Sequence, residues 1–296
     1  MPSKLPLPRR TVGHSLQAET LGSGAKMTME LVARNGLVLL GCGKMGSALL
    51  QGWLAGGVPA TSVRVLDPQP SDWLIATGVH VNAGLPAAPA IVVIAVKPQM
   101  MTAALPGLKA LGGGGTLFLS IAAGTTIGQF ESVLGAQTPV IRAMPNTPAA
   151  VGRGISAIIG NACATEADMA LAETLLSAVG QVVRLEGEHQ MDAVTAVSGS
   201  GPAYVFHLIE ALAAAGEAEG LPAAMAMQLA RATVTGAGEL AHLAPESAAQ
   251  LRINVTSPAG TTAAALAVLM DPDTGMPPLL RRAVKAAADR GRELGQ

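Results

Sequence analysis

A chain of 296 residues, half of them hydrophobic, is long enough for two domains and carries ample apolar surface for a core. A formal net charge of -1 leaves no basic excess to release counterions from nucleic acid, and two cysteines are too few for a disulfide framework. Aromatic residues make up only 2%, so the core must be built from Ala, Val, Leu, Ile and Met, whose small side chains let helices approach closely.

Within residues 1–30, the stretch 1–26 carries Lys4, Arg9, Arg10 and Lys26 against one acid, Glu19. Residues 1–30 lack the continuous apolar core of a secretory signal and show no strand or helix period. The expectation is a disordered extension, or an early start codon with Met27 or Met29 as the true start. Elsewhere the apolar runs are broken by Gly, Lys or His well before the roughly 20 residues a membrane span needs. No membrane association is expected, and a cytoplasmic location fits the cysteine usage.

Residues 37–40 (LVLL) form a continuous apolar run, as a buried parallel strand should. A helix follows over 45–54, ended by Gly56 and Gly57. Further strands are predicted at 63–66, 91–96, 116–120, 140–143, 154–159 and 181–185, with a helix over 166–179. Strands alternating with helices imply a parallel sheet with right-handed crossovers. Beyond Leu185 the strand signal stops. Residues 204–219, 222–242, 261–270 and 279–294 read as helices rich in Ala, Leu and Met, with a turn over 271–278. The expected fold class is α/β: a Rossmann-type dinucleotide-binding domain over 31–187, followed by an all-helical domain over 188–296.

Gly41, Cys42, Gly43, Lys44, Met45 and Gly46 spell G-x-G-x-x-G between the first strand and the first helix of the sheet domain. The first glycine permits the tight turn, the second lets backbone approach a pyrophosphate, and the third lets helix and strand pack closely. The helix N-terminus favours the anion. Asp67, at the end of the second strand, is placed to accept hydrogen bonds from a ribose, and it leans towards NADH over NADPH. The plainer alternatives are a glycine-rich turn without a ligand, and a surface aspartate that simply ends a strand. Cys42 reads as a small packing residue. His14, His80, His189, His207 and His242 show no metal-ligand spacing, so no metal is assigned.

Five blocks carry a family resemblance: LLGCGKMGSAL at 39–49, AVKPQ at 95–99, RAMPNTP at 142–148, SGSGPAYVF at 198–206 and LRINVTSPAGTTAAAL at 251–266. In order and spacing they resemble the pyrroline-5-carboxylate reductase family over about 36–294. The resemblance implies NAD(P)H-dependent reduction of 1-pyrroline-5-carboxylate to L-proline, with NADPH or NADH as cofactor. It places Ala95, Val96, Lys97 and Pro98 beside the ribose and nicotinamide, Asn82 at the adenine ribose, and Pro145 and Asn146 at the nicotinamide. Lys97 reads equally as a solvated side chain.

The substrate is a cyclic imine bearing a carboxylate, which a loop of backbone N–H groups at a helix start can bind. Ser257, Pro258, Ala259, Gly260, Thr261 and Thr262 open a predicted helix and are the candidate loop; an ordinary helix cap by Ser257 or Thr261 is the alternative. Thr262 matches the threonine placed near the imine nitrogen, where a hydroxyl orients that atom. A neutral threonine is a poor general acid, so the catalysis is proximity and alignment. Ser200 sits in a glycine-rich lead into the helix that lines the cleft.

Two departures stand out. Ile253 replaces the family's usual acid or amide, and Ala259 replaces a glycine, which restricts the backbone if φ is positive there. The resemblance also implies a homodimer or larger homo-oligomer through the helical domain, with the site near the subunit boundary. A β-hydroxyacid dehydrogenase would need a lysine in the second domain, and residues 191–231 contain none. A reductase for another cyclic imine, and a redox-sensing binding module, remain as alternatives.

Overall fold

The computed structural model describes residues 23–295. In chain order the sheet half contains α1 (Ser23–Asn35), β1 (Leu37–Leu40), α2 (Lys44–Ala55), β2 (Val63–Leu66), α3 (Asp72–Ala76), β3 (His80–Val81), β4 (Ile91–Ile94), α4 (Met101–Ala104), β5 (Leu117–Ser120), α5 (Ile127–Leu134), β6 (Val140–Met144), β7 (Gly154–Gly160), α6 (Glu166–Ser177) and β8 (Gly180–Arg184). The helical half contains α7 (Met191–Val194), a π-turn (Thr195–Gly199), α8 (Gly201–Ala218), α9 (Ala223–Leu243), α10 (Ala248–Asn254), α11 (Thr261–Leu269) and α12 (Met276–Leu294).

The eight strands form one sheet in the order β3-β2-β1-β4-β5-β6-β7-β8. Two apolar layers cover its faces, because successive strand residues point to opposite sides. Leu37, Leu39, Val63, Val65, Ile91 and Val93 face α2 and α6 on one side. Val38, Val92, Ile94 and Phe118 face Met101, Leu105 and Phe130 on the other. Trp53 of α2 is buried in the first layer and donates its Nε1–H to the Leu175 carbonyl at 2.8 Å, which leaves no polar atom stranded.

The sheet is not purely parallel, which corrects the expectation above. β7 runs antiparallel to β6, with Ile141 opposite Gly160 and Met144 opposite Ala157. Only residues 145–153 join the two strands; a parallel return needs about a dozen or more. The chain instead reverses through the turn Thr147–Val151 and Gly152, whose φ is +69°. β3 was not expected from sequence; two residues are too few for a periodic signal.

Two boundaries also move. α1 crosses residue 30, so the proposed disordered stretch 1–30 overlaps a helix from Ser23 onward. Val32 is fully buried, and Met29 and Leu31 pack against the same layer, a spacing too short to stand out across the whole N-terminal stretch. The rest of that expectation, residues 1–22, lies outside the described residues. α12 begins at Met276 rather than at 279, because Pro277 and Pro278 fall in its first turn, where no backbone N–H is needed.

In the helical half, α8 and α9 pack through Ala213, Ala226 and Ala230, with Ile209 beside them. Small side chains allow that approach, as the composition suggested. No helix among the described residues is long and apolar enough to cross a membrane.

Candidate active site

The order of the sheet reverses at β1: β2 lies on one side and β4 on the other. Ligands of open α/β sheets bind at such a switch point, beyond the carboxyl ends of the strands. Both loops there carry sequence-predicted residues. Gly41 has φ +88°, and a Cβ on it would lie 3.0 Å from the Ala95 carbonyl oxygen and 3.0 Å from Val96 Cγ1. Gly46 would clash harder, at 2.4 Å from the Gly41 carbonyl oxygen. Gly43 differs: nothing lies within 4 Å of its would-be Cβ. The first and third glycines therefore serve packing, and the second faces open space. Gly43 is also the N-cap of α2, so the first-turn N–H groups of Lys44, Met45 and Gly46 have no helical acceptor. These residues fit a dinucleotide pyrophosphate.

Asp67 is tied to that loop. Its Oδ2 accepts from the Cys42 N–H at 2.7 Å, and its Oδ1 accepts from the Gln69 N–H at 2.8 Å. Asn82 stands at φ +51° and grips the Asp67 backbone: Oδ1 accepts from the Asp67 N–H at 2.9 Å, and Nδ2 donates to the Asp67 carbonyl at 2.8 Å. The structure thus brings Asp67, Asn82 and the glycine loop together, with the Asn82 amide engaged on Asp67. Burial, and then the Asp67 carboxylate, push the Cys42 thiol up to about 11, so it is a neutral packing group near neutral pH.

After β4, Ala95 and Val96 are half-buried against Gly41. Lys97 is exposed and precedes a short turn that starts at Pro98. At the end of β6, Pro145 and Asn146 are buried. They lie against the lead into α8, where the Asn146 Nδ2 donates to the Ser198 carbonyl at 3.2 Å. Ser200 is the N-cap residue of α8, directly after the π-turn.

The Ser257–Thr262 loop has the form of an anion cradle. Gly260 is the N-cap of α11, so no side-chain cap occupies the first-turn N–H groups of Thr261 and Thr262. The capping alternative therefore does not account for the loop. Ser257 Oγ lies 2.3 Å from where a Gly260 Cβ would stand, so a larger residue there would have to turn the Ser257 hydroxyl aside. Ala259 has φ +57°, the left-handed conformation that the substitution for glycine made a concern. Ser257, Ala259 and Thr261 are exposed, and no element among the described residues packs extensively on α10 or α11. The single chain displays this loop without covering it.

Sequence reasoning missed one pair. Arg142 in β6 is only 6% exposed, and its Nη1 donates to Glu188 Oε1 at 2.8 Å. The signal was available: a cation inside the apolar strand VIRAM must have a partner. Among the described residues no cluster of three or more His, Cys, Asp or Glu side chains could hold a metal ion.

Fold and glycine loop together define a Rossmann-type dinucleotide-binding protein with a helical second domain. Residues 36–124 match the family model "NADP oxidoreductase coenzyme F420-dependent", and residues 188–294 match "Pyrroline-5-carboxylate reductase dimerisation". The chain is 40% identical to a pyrroline-5-carboxylate reductase of Pseudomonas aeruginosa over 88% of its own length and 97% of the relative's. It is 38% identical to one of Pisum sativum, over 87% and 95%. A solved pyrroline-5-carboxylate reductase of Coxiella burnetii superposes with a TM-score of 0.83 at 34% identity, covering 88% of this chain and 99% of that one. That of Plasmodium falciparum with NADP bound gives 0.76 at 29%, covering 89% and 99%. The chain belongs to the pyrroline-5-carboxylate reductase family.

Proposed function

We propose that this chain reduces 1-pyrroline-5-carboxylate to L-proline with NADPH or NADH. The observation that carries the reading is the uncapped first turn of α11 behind Gly260, in a chain that also holds an open glycine loop at the sheet's switch point. A glycine loop alone would suit any dinucleotide-binding protein; a second anion cradle suits a substrate carboxylate.

Gly41, Gly43 and Gly46, with the N–H groups of Lys44 and Met45, hold the pyrophosphate. Asp67 faces the ribose, and Asn82 fixes Asp67. Ala95, Val96, Lys97 and Pro98 border the nicotinamide end, with Pro145 opposite. When bound, the reduced nicotinamide would supply a hydride to the imine carbon of the protonated, iminium form, whose nitrogen already carries the proton the amine product needs. Ser257, Ala259, Gly260 and Thr261 hold the carboxylate through the loop backbone. The Thr262 hydroxyl hydrogen-bonds the imine nitrogen and orients it, while Ser200 lines the cleft. These groups act by alignment, since none of them is a strong acid.

The family model matched by residues 188–294 is one for dimerisation, and a homodimer or larger homo-oligomer follows for this chain. A second copy would cover α11 and complete the site at the subunit boundary. We place the boundary between the domains at 187–188 and the enzyme in the cytoplasm. For the cofactor, Asp67 argues for NADH, and the NADP-bound Plasmodium falciparum relative for NADPH.

The test is loss of reduced-nicotinamide absorbance with DL-1-pyrroline-5-carboxylate, run with NADH and with NADPH. Turnover is expected, with Thr262→Ala lowering kcat by about 10- to 100-fold through lost alignment. Cofactor binding without turnover on this imine would turn the assignment towards another cyclic imine or a redox sensor.

A further inference from the structure

We infer that Asn146 is a positioning residue, which pins the π-turn of the helical half to the end of β6, with Glu188 as a second pin. The inference rests on the active-site reading above. It begins with a proline. In a regular helix the Ser198 carbonyl would accept from the N–H four residues on, but that residue is Pro202, which has none. Ala203 N–H turns to the Ser200 carbonyl at 3.0 Å, and Ser200 N–H closes the π-turn on the Thr195 carbonyl at 2.8 Å. The Ser198 carbonyl is thus left to an outside donor, and Asn146 Nδ2 supplies it at 3.2 Å.

The rest of the Asn146 side chain is equally committed. Its Oδ1 accepts from the Ile155 N–H of β7 at 2.9 Å, and the residue is 9% exposed. One N–H and one oxygen lone pair of the amide are thus held by backbone, at Ser198 and at Ile155. Gly199 lies close to the end of β6, where a Cβ on it would stand 2.6 Å from the flexible tip of Met144, Cε.

Glu188 holds the middle of β6, at Arg142. One oxygen, Oε1, accepts both from Arg142 Nη1 at 2.8 Å and from the Ile127 N–H of α5 at 2.9 Å. α12 packs behind the π-turn and behind α7 just before it, where a Cβ on Gly291 would meet Asp192 Oδ1 at 2.9 Å. The turn that delivers Ser200 is therefore clamped between α12 and the strand that delivers Pro145. Asn146 and Glu188 set the distance between the cofactor side and the substrate side.

The experiment uses the full chain. Asn146→Asp keeps the acceptor for Ile155 and replaces the donor to Ser198 with an oxygen. Amide hydrogen exchange over 195–200, NADH affinity by fluorescence, thermal melting and kcat are read together. Exchange at 195–200 should quicken by about 10-fold or more as the turn opens locally. kcat should fall by about 30- to 100-fold from misalignment, with NADH affinity held within about twofold. Unchanged exchange overturns the inference, as does a loss of NADH affinity in step with kcat, which would make Asn146 a cofactor ligand. A lower melting temperature with unchanged kcat overturns it too, since that is a purely structural role. Should Asn146→Asp fail to fold, the same readouts on Asn146→Ser, which removes the amide donor to Ser198 without burying a charge, decide. Exchange needs no substrate, so a parent chain that ignores the imine would sink the proposed reaction and leave this inference to its own result.

Discussion

In the sheet half, leucines and valines such as Leu37, Leu39, Val63 and Val65 have no exposed surface. In the helical half the buried apolar residues are few and mostly alanines: Ala196, Ala213, Ala226, Ala230 and Ala288, with Met191. The large apolar side chains there point outward instead, with Leu243 69% and Val268 71% exposed. The same residue types thus close a core in one half and prepare a surface in the other. An exposed apolar area of that kind marks an interface. The sheet half closes its apolar core within one chain, whereas the helical half leaves its large apolar side chains on the surface.

The sharpest way to break this comparison is to charge the exposed face. Val268→Glu on α11 should weaken self-association by about 100-fold or more, as burial of an unpaired charge in an interface does. Sedimentation should show monomer, turnover should fall with it, and NADH should still bind the sheet half. A parent chain that is monomeric and fully active would remove the distinction between the halves. Next in size is a matched pair of truncations. Leu49→Ala, in the sheet half's core, should cost about 2–5 kcal/mol in denaturant unfolding. Leu243→Ala should stay within about 0.5 kcal/mol in dilute, dissociated protein. Equal costs would mean that both halves are buried alike. The smallest effect concerns Cys42. With its thiol pushed up to about 11, about a thousandth or less is thiolate at pH 8, so alkylation should be slow in the folded chain and quick in denaturant. Rapid labelling of Cys42 in the native state would show the glycine loop to be looser than described.

How far the sequence reached follows the same division. β1 was legible as a four-residue apolar run ahead of a glycine, and β2 as the mostly apolar VRVL ahead of an aspartate-proline stop. The reversal at β7 was readable in principle from the short link 145–153 with its prolines and glycine, but strand-helix alternation was followed instead. The glycine loop was legible because Gly41 and Gly46 have a steric reason, while Gly43 leaves open space in front of the helix start. The Ser257–Thr262 loop was found by resemblance, and the left-handed Ala259 was foreseen only as a condition. The tie from Asn146 to Ser198 was beyond reach: it depends on a carbonyl left free in one domain by Pro202 and an amide carried by another. No local pattern records such a pairing. The Arg142–Glu188 pair sits between these cases, since the buried cation could be predicted and its partner could not.

The grip of Asp67 on the Cys42 amide matters most to anyone who would retune the cofactor. A substitution such as Asp67→Ser, chosen to admit a 2′-phosphate, would at the same stroke remove the acceptor that braces the glycine loop. If Asp67 faces the ribose as proposed, preference and affinity are coupled through a single carboxylate. A design that exchanges one cofactor for the other must restore a brace for that amide as well as a site for the phosphate, so the change calls for paired substitutions.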